Sequence, residues 1–407
     1  MSEGGIQELF PVEEEKQGFS NVLKYRDTGI IPYQGIRALI AEKPPMIDGL
    51  PKIELDQIQP ASLDLRLGAR AYRVRASFLP GAGSTVMDKV RQLDGFPAIP
   101  LPQLEPGEEG GLVFEKGAVY VVELAESVRF VGDYIGFANP KSSTGRLDVL
   151  TRLITDHATA FNRVGKGYKG PLYLEVIPLT FSIVVRQGIR LTQLRIQRGS
   201  SDISASEAQR LYEGGQLVNA GDDGRRLPLR EGLVPLTVDL RGNKPGDIIG
   251  FRAKKNSSKI DLSKVGYYDP REFWEPIESS NGQLNLDKDD FYILATREEV
   301  GVPPQLAAEM VAFDPEAGEF RVHYAGFFDP GFGWQAAGSI GQARGSRAVL
   351  EVRSYGVAFT LEHGQTVAWL DYKQLATGQT EKRYGAAIKS NYQGQGVALA
   401  KHFKPWR

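Results

Sequence analysis

The feature that most constrains this chain is that it repeats itself. Ser62 to Gly68 reads SLDLRLG, and Thr237 to Gly242 reads TVDLRG. The triplet LEV at Leu174 to Val176 returns at Leu350 to Val352, 176 residues later, and Gly188 with Gly364 and Leu194 with Leu370 keep that offset. Between them, AVYVVELAESV (Ala118 to Val128) aligns with DFYILATREEV (Asp290 to Val300). Matches in one order at a nearly constant spacing indicate duplication, so each half folds on the same plan. The boundary is placed near residue 215, giving one repeat over 1–215 and a second over 216–407.

The plan is mainly β. Apolar runs are short and rich in Val, Ile, Tyr and Phe: GAVYVVEL (Gly117 to Leu124), PLYLEVIPL (Pro171 to Leu179), FSIVVRQG (Phe181 to Gly188) and FYILATR (Phe291 to Arg297). The chain's 46 glycines and 24 prolines break it at turn spacing, which predicts barrels or sandwiches. Two helices are predicted. Tyr33 to Glu42 has apolar residues at helical spacing. Ser204 to Gly214 has a capping box of Ser204 and Glu207 and a glycine at its end, and it joins the two copies.

Composition removes several function classes. The chain has no cysteine, which rules out disulfides, thiolate metal sites and cysteine nucleophiles. Its four histidines, His157, His323, His363 and His402, lack the spacing of a helical zinc site. A net charge of −1 argues against a nucleic-acid polymer or a membrane as partner. No apolar run approaches the roughly 20 residues of a membrane span. The acidic first residues lack the apolar core of a signal peptide. A cytoplasmic protein is expected.

Four segments carry candidate chemistry. In PKSSTGR (Pro140 to Arg146), Lys141 and Arg146 bracket the hydroxyls of Ser142 and Ser143. This set suits a polyphosphate, although an ordinary polar surface loop has the same composition. Glu175 and Glu351 each sit in an apolar strand. Pointed inward, such a carboxyl would titrate near neutrality and could move protons; alternation alone leaves the face open. HYAGFFDPGFG (His323 to Gly333) holds a turn at Asp329, with aromatics that could wall a base pocket. KSNYQGQGVALAKHF (Lys389 to Phe403) could close over a nucleotide or be a loose terminus.

In this order the segments resemble the dCTP deaminase family of the dUTPase superfamily. SLDLRLG resembles its first motif, and PKSSTGR its phosphate motif, with Lys141 where arginine is usual. AGFFDPGFG followed by AVLEV resembles the stretch with the pocket aspartate and the catalytic glutamate, and KSNYQGQG the closing motif. The resemblance implies tandem distorted, jelly-roll-like barrels that assemble into homo-oligomers with active sites between barrels. It implies dCTP as substrate, dUTP and ammonia as products, and no protein-bound cofactor. Mg²⁺ would come only with the triphosphate. Most nucleobase deaminases activate water on zinc through a His/Cys signature, which this chain lacks.

Carried over, Glu351 or Glu175 would be the general base, and Ser142 and Arg146 would position the water. Lys141 and Ser143 would contact phosphates. Asp329 would accept from the 3′-hydroxyl, and the Ala325 backbone would hold the base. Lys389, Tyr392, Gln393 and Gln395 would cover the triphosphate. Each repeat lacks part of the family's set. The first keeps PKSSTGR and Glu175, but reads TAFNRVGKGYKG where the aspartate belongs. The second keeps Asp329, Glu351 and the tail, but reads VAFDPEAGE in place of the phosphate motif. The expectation is a composite site, with Ser142 and Arg146 facing Glu351 and Asp329 and with Glu175 as a structural remnant. The competitor is a site in repeat one built on Glu175. Competing functions are a dUTP diphosphohydrolase, a bifunctional enzyme yielding dUMP, and a nucleotide sensor without catalysis.

Overall fold

The structure is a computed structural model. It describes residues 28–105, 108–219, 224, 226–279, 281–311, 320–323, 326–334, 345–354, 356–382 and 397–406, with backbone alone for 320–323.

In repeat one the strands that frame the site are β1 (Leu63–Val74), β2 (Val119–Arg129), β3 (Tyr134–Pro140), β4 (Val149–Ile154), β5 (Arg163–Val164), β6 (Lys169–Pro178) and β7 (Arg190–Arg198). They form one nearly closed, barrel-like sheet in the order β4-β6-β2-β1-β7-β3-β5. Repeat two supplies β8 (Val234–Thr237), β9 (Ile248–Ala253), β10 (Trp274–Glu278), β11 (Phe291–Val300), β12 (Leu306–Val311), β13 (Phe320–His323), β14 (Phe327–Phe328), β15 (Ser346–Ser354) and β16 (Thr366–Gln374). Its two sheets run β10-β9-β11-β15-β13 and β8-β16-β12-β14. The neighbours β4-β6-β2 thus reappear as β13-β15-β11, and β1-β7-β3-β5 as β8-β16-β12-β14.

The copies differ in their first long strand. In repeat one, β1 runs unbroken and pairs with both β7 and β2. In repeat two the matching stretch stops after β8 and resumes as β9, which pairs with β11. The interruption, Arg241 to Gly246, holds Pro245, which cannot donate to a ladder, and Gly242 and Gly246 at φ of 63° and 83°. Asp247 fixes the turn by accepting from the amides of Asn243 and Lys244 at 3.0 and 3.1 Å.

The sequence-predicted helices form. The helix α1 (Tyr33–Ala41) buries Ile36 and Leu39. Between the repeats, α4 (Ala205–Glu213) begins with Ser204 Oγ accepting from the Glu207 amide at 3.1 Å. Its left-handed residue is Gly215, at φ 69°, one position later than expected, while Gly214 stays right-handed. Two further helices, α2 (Val86–Gln92) and the single turn α3 (Ser142–Gly145), lie at the sites described below. Among the described residues no helix is long and apolar enough to cross a membrane.

The repeats share a core. Along β11, Tyr292 and Leu294 point into the second barrel. The alternate residues Phe291 and Ile293 join Phe251, Phe273 and Trp274 in the cluster that fills the first barrel. Phe181 of repeat one meets Trp274 and Phe273 edge-on, at centroid distances of 5.4 and 5.8 Å. A strand buried on both faces reads as a continuous apolar run, which is why FYILATR lacks polar alternation. Each such side chain contributes about 1.5–3 kcal/mol when buried, so the outer face of repeat two's sheet is held firmly against repeat one. That packing sets the geometry of the site.

Candidate active site

The phosphate-like motif is an ordered turn, not a surface loop. The Lys141 amide donates to the Leu191 carbonyl at 2.9 Å, and the chain then winds through α3, with Gly145 and Arg146 donating back to Lys141 and Ser142 at 3.0 Å each. Ser142 is exposed, whereas Ser143, Thr144 and Arg146 are buried. Arg146 Nη1 donates to the carbonyl of Ala398, in the last segment of repeat two, at 3.1 Å. Asp148 follows at φ 55° and turns the chain into β4.

Glu351 lies on β15. Its neighbours Leu350 and Val352 enter the second barrel, so Glu351 and Arg353 point the other way, toward repeat one. Glu351 is only 6% exposed. Burial pushes its carboxyl up to about 8; the Arg146 guanidinium and the backbone oppose the rise, and the Asp148 charge adds to it. The Cα partner of Glu351 on β13 is His323.

Asp329 ends the β14 segment, and its carbonyl accepts from Phe332 N at 3.0 Å to close the expected turn. Burial raises its carboxyl to about 6. The Arg195 and Lys141 charges pull it back, and the Asp64 charge adds to the rise. Arg195 comes from β7 of repeat one and is fully buried. It donates to the carbonyls of Ala308 and Phe328 at 3.0 and 3.4 Å, lies 3.9 Å above the Phe327 ring, and stands 3.6 Å from Asp329 Oδ1. At 3.6 Å this is an ion pair without a hydrogen bond, and among the described residues Asp329 Oδ1 has no hydrogen-bond donor.

Lys141 is ion-paired with Asp64 of β1, the aspartate of SLDLRLG. Lys382 and Lys401 lie near the same carboxylate. Burial depresses the ammonium pKa of both, and the like charge of Lys141 depresses Lys401 further. Lys141, Lys382 and Lys401 thus converge on Asp64, with Asp56 and Asp329 also within reach of Lys382.

Glu175 occupies the matching place in repeat one with different surroundings. On β6, Leu174 and Val176 enter the first barrel, and Glu175 points outward. Arg152, its Cα partner on β4, donates Nε to Glu175 Oε1 at 2.7 Å and lies 3.8 Å over the Phe161 ring. The segment carrying α2 roofs this face: Val86 and Val90 pack on Tyr72, Val121, Ile154 and Tyr173. Glu175 is 0% exposed.

The structure therefore brings Arg146 to Glu351 and Lys141 to Asp329, and it sets Glu175 apart. Register also settles the position opposite Asp329. Val164 pairs with Gly136 as Phe328 pairs with Ala308, so Gly165 stands where repeat two has Asp329. Ala325, Lys389, Tyr392, Gln393 and Gln395 lie outside the described residues. Asp64, Asp148, Arg195, Arg353, Lys382 and Lys401 were not singled out from sequence. Among the described residues no cluster of three or more His, Asp or Glu could hold a metal ion.

Two family models match in tandem: the 2′-deoxycytidine 5′-triphosphate deaminase (DCD) N-terminal domain over 27–200 and the C-terminal domain over 204–403. The chain is 31% identical over 156 residues to the dCTP deaminase of Halorubrum lacusprofundi, covering 38% of this chain and 70% of that protein. Against the dCTP deaminase of Haloarcula marismortui it is 31% identical over 140 residues, 34% of this chain and 65% of the relative. The fold is similar to the crystal structure of 2′-deoxycytidine 5′-triphosphate deaminase from Agrobacterium tumefaciens. There the TM-score is 0.76 at 47% identity, over 86% of this chain and all of that one. The chain belongs to the dCTP deaminase family, a family of enzymes.

Proposed function

We propose that this chain deaminates dCTP hydrolytically to dUTP and ammonia, in a site built from both repeats. The observation that carries the reading is the burial of Glu351 of repeat two beside Arg146 of repeat one. A carboxyl that titrates near the working pH can accept a proton and give it back. Glu351 takes a proton from water attacking C4 of the cytosine, then delivers protons to N3 and to the departing ammonia. The C4–O bond forms, the C4–N bond breaks, and no electron is exchanged with an outside reagent. Ser142 and Arg146 hold the water and steady the charge that develops on it.

Lys141 and Ser143 bind phosphates, joined by Lys382 and Lys401. Asp329 Oδ1, without a protein donor among the described residues, accepts from the deoxyribose 3′-hydroxyl. The Ala325 backbone holds the base, and Lys389, Tyr392, Gln393 and Gln395 close over the triphosphate. Mg²⁺ enters with the nucleotide. The enzyme works on free nucleotides in the cytoplasm, as a homo-oligomer. The test is incubation with dCTP and Mg²⁺ in the presence of a zinc chelator, following ammonia and separating the nucleotides. Ammonia with dUTP is the expected result. Ammonia with dUMP and pyrophosphate makes the enzyme bifunctional. Hydrolysis of dUTP without ammonia makes it a diphosphohydrolase, and no turnover of either nucleotide leaves a sensor.

A further inference from the structure

Arg353 lies two residues beyond Glu351 on β15, on the same face of the strand. It reaches into repeat one. Its Nη2 pairs with Asp148 Oδ2 and donates to Thr180 Oγ1 at 2.9 Å, and Thr180 in turn donates to Asp148 at 2.6 Å. The other arm, Nη1, donates to the carbonyl of Asp289. Asp148 is fully buried, and its backbone carbonyl accepts from Leu179 N at 2.9 Å. Asp148 stands two residues after Arg146. One ion pair thus fastens the arm that carries Arg146 to the strand that carries Glu351. The 176-residue offset of the duplication puts Ile177 where repeat two has Arg353, so the pair occurs where the halves of the site meet and is not inherited by both copies.

We infer that Arg353 is a positioning residue for deamination: through its ion pair with Asp148 it holds the arm that carries Arg146 against the strand that carries Glu351. This rests on Glu351 as the base. The charged groups acting on Glu351 are Arg146 and Asp148, from the arm after α3; Arg353 stands two residues on along its own strand, β11 contributes Ile293 in register, and His323 is its register neighbour on β13. Asp148 raises the Glu351 carboxyl and Arg146 lowers it, so displacing the Arg146 arm moves the carboxyl up and removing the Asp148 charge moves it down.

The experiment is the pH dependence of kcat/KM for ammonia release from dCTP with Mg²⁺, measured on full-length Arg353→Met, Asp148→Asn, the double variant and Arg353→Lys. Arg353→Met removes the link between Asp148 and the strand that carries Glu351, and with it the hold on Arg146. The limb that rises as Glu351 loses its proton moves up by about one pH unit, and activity at pH 7 falls about tenfold. Asp148→Asn moves the limb the opposite way. The double variant combines both changes and lies between the two single variants, and Arg353→Lys restores most of the wild-type position. A role in packing alone predicts lost stability with the limb in place. An unmoved limb in Asp148→Asn and the double variant overturns the inference even if Arg353→Met does not fold. Glu351→Gln separates the two claims. If it still releases ammonia, the base assignment is wrong; if it is inactive while the limb stays fixed in Asp148→Asn, only the positioning role fails.

Discussion

Glu175 and Glu351 occupy the same place in the two copies of one barrel and meet opposite surroundings. Both follow a leucine and precede a valine that enter a barrel core, and both turn their carboxyls to the outer face. In repeat one that face is closed by the chain's own α2 segment, and the carboxyl is matched by Arg152. In repeat two the same face is covered by the other repeat, which brings Arg146 and Asp148. A strand thus preserves a carboxyl through duplication, while the element packed across from it decides whether that carboxyl is held in an ion pair with Arg152 or lies buried beside Arg146 and Asp148.

The comparison breaks most sharply on activity. Glu351→Gln should bind dCTP and lose roughly a thousandfold in ammonia release, the scale of a lost general base, whereas Glu175→Gln should stay within about threefold of wild type. Steady-state kinetics with a binding titration reads both, and the reverse order would move the site to repeat one.

Stability gives the next contrast. Arg152→Met strands the buried Glu175 charge and should cost about 3 kcal/mol in denaturant unfolding, and adding Glu175→Gln should recover much of that loss. A cost that the second substitution does not relieve would mean that Arg152 acts through its packing on Phe161.

The elevated carboxyl of Glu351 makes a pH-dependent prediction. It keeps its proton in the folded chain up to about 8, against an ordinary 4.5. Its contribution to stability is therefore full below about 4.5 and is lost as pH rises toward 8. Glu351→Gln should remove that loss, so the ligand-free variant gains on wild type with rising pH, by on the order of 4 kcal/mol near pH 8. Thermal unfolding across pH 5 to 8.5 measures it, and a constant difference would contradict it.

Asp329→Asn should have a smaller effect than Glu351→Gln, about a tenfold fall in kcat/KM for dCTP, carried mainly in KM, as expected for one hydrogen bond to the sugar. The same loss with a 3′-deoxy analogue would show that Asp329 does not contact that hydroxyl.

What sequence revealed and what it hid divide along the range of the interactions. The repeat, the strands, α1 and the cap of α4 are local patterns, and they were legible. PKSSTGR and LEV were legible as motifs, but not their burial, because the face of a strand depends on what packs there. Arg195 and Arg353 sit in runs, LTQLRIQR and AVLEVRS, where a charged residue reads as solvent-facing. Their partners lie far along the chain, 133 residues from Arg195 to the Phe328 carbonyl and 205 from Arg353 to Asp148. The signal available was the repeat itself, since Ile177 opposite Arg353 marks a charge that one copy has and the other lacks. The α2 roof was missed because a seven-residue helix carries too few turns for apolar periodicity to stand out.

The most direct measurement is a mixing experiment. Arg146→Met and Glu351→Gln chains, each inactive alone, are co-expressed with different tags, and the species bearing both tags is assayed for ammonia release from dCTP. A site shared by the two repeats of one chain puts both losses in separate incomplete sites, so the mixed species stays inactive. Recovery of a substantial fraction of wild-type activity would place Arg146 and Glu351 of different chains in one site and contradict a composite site within the chain.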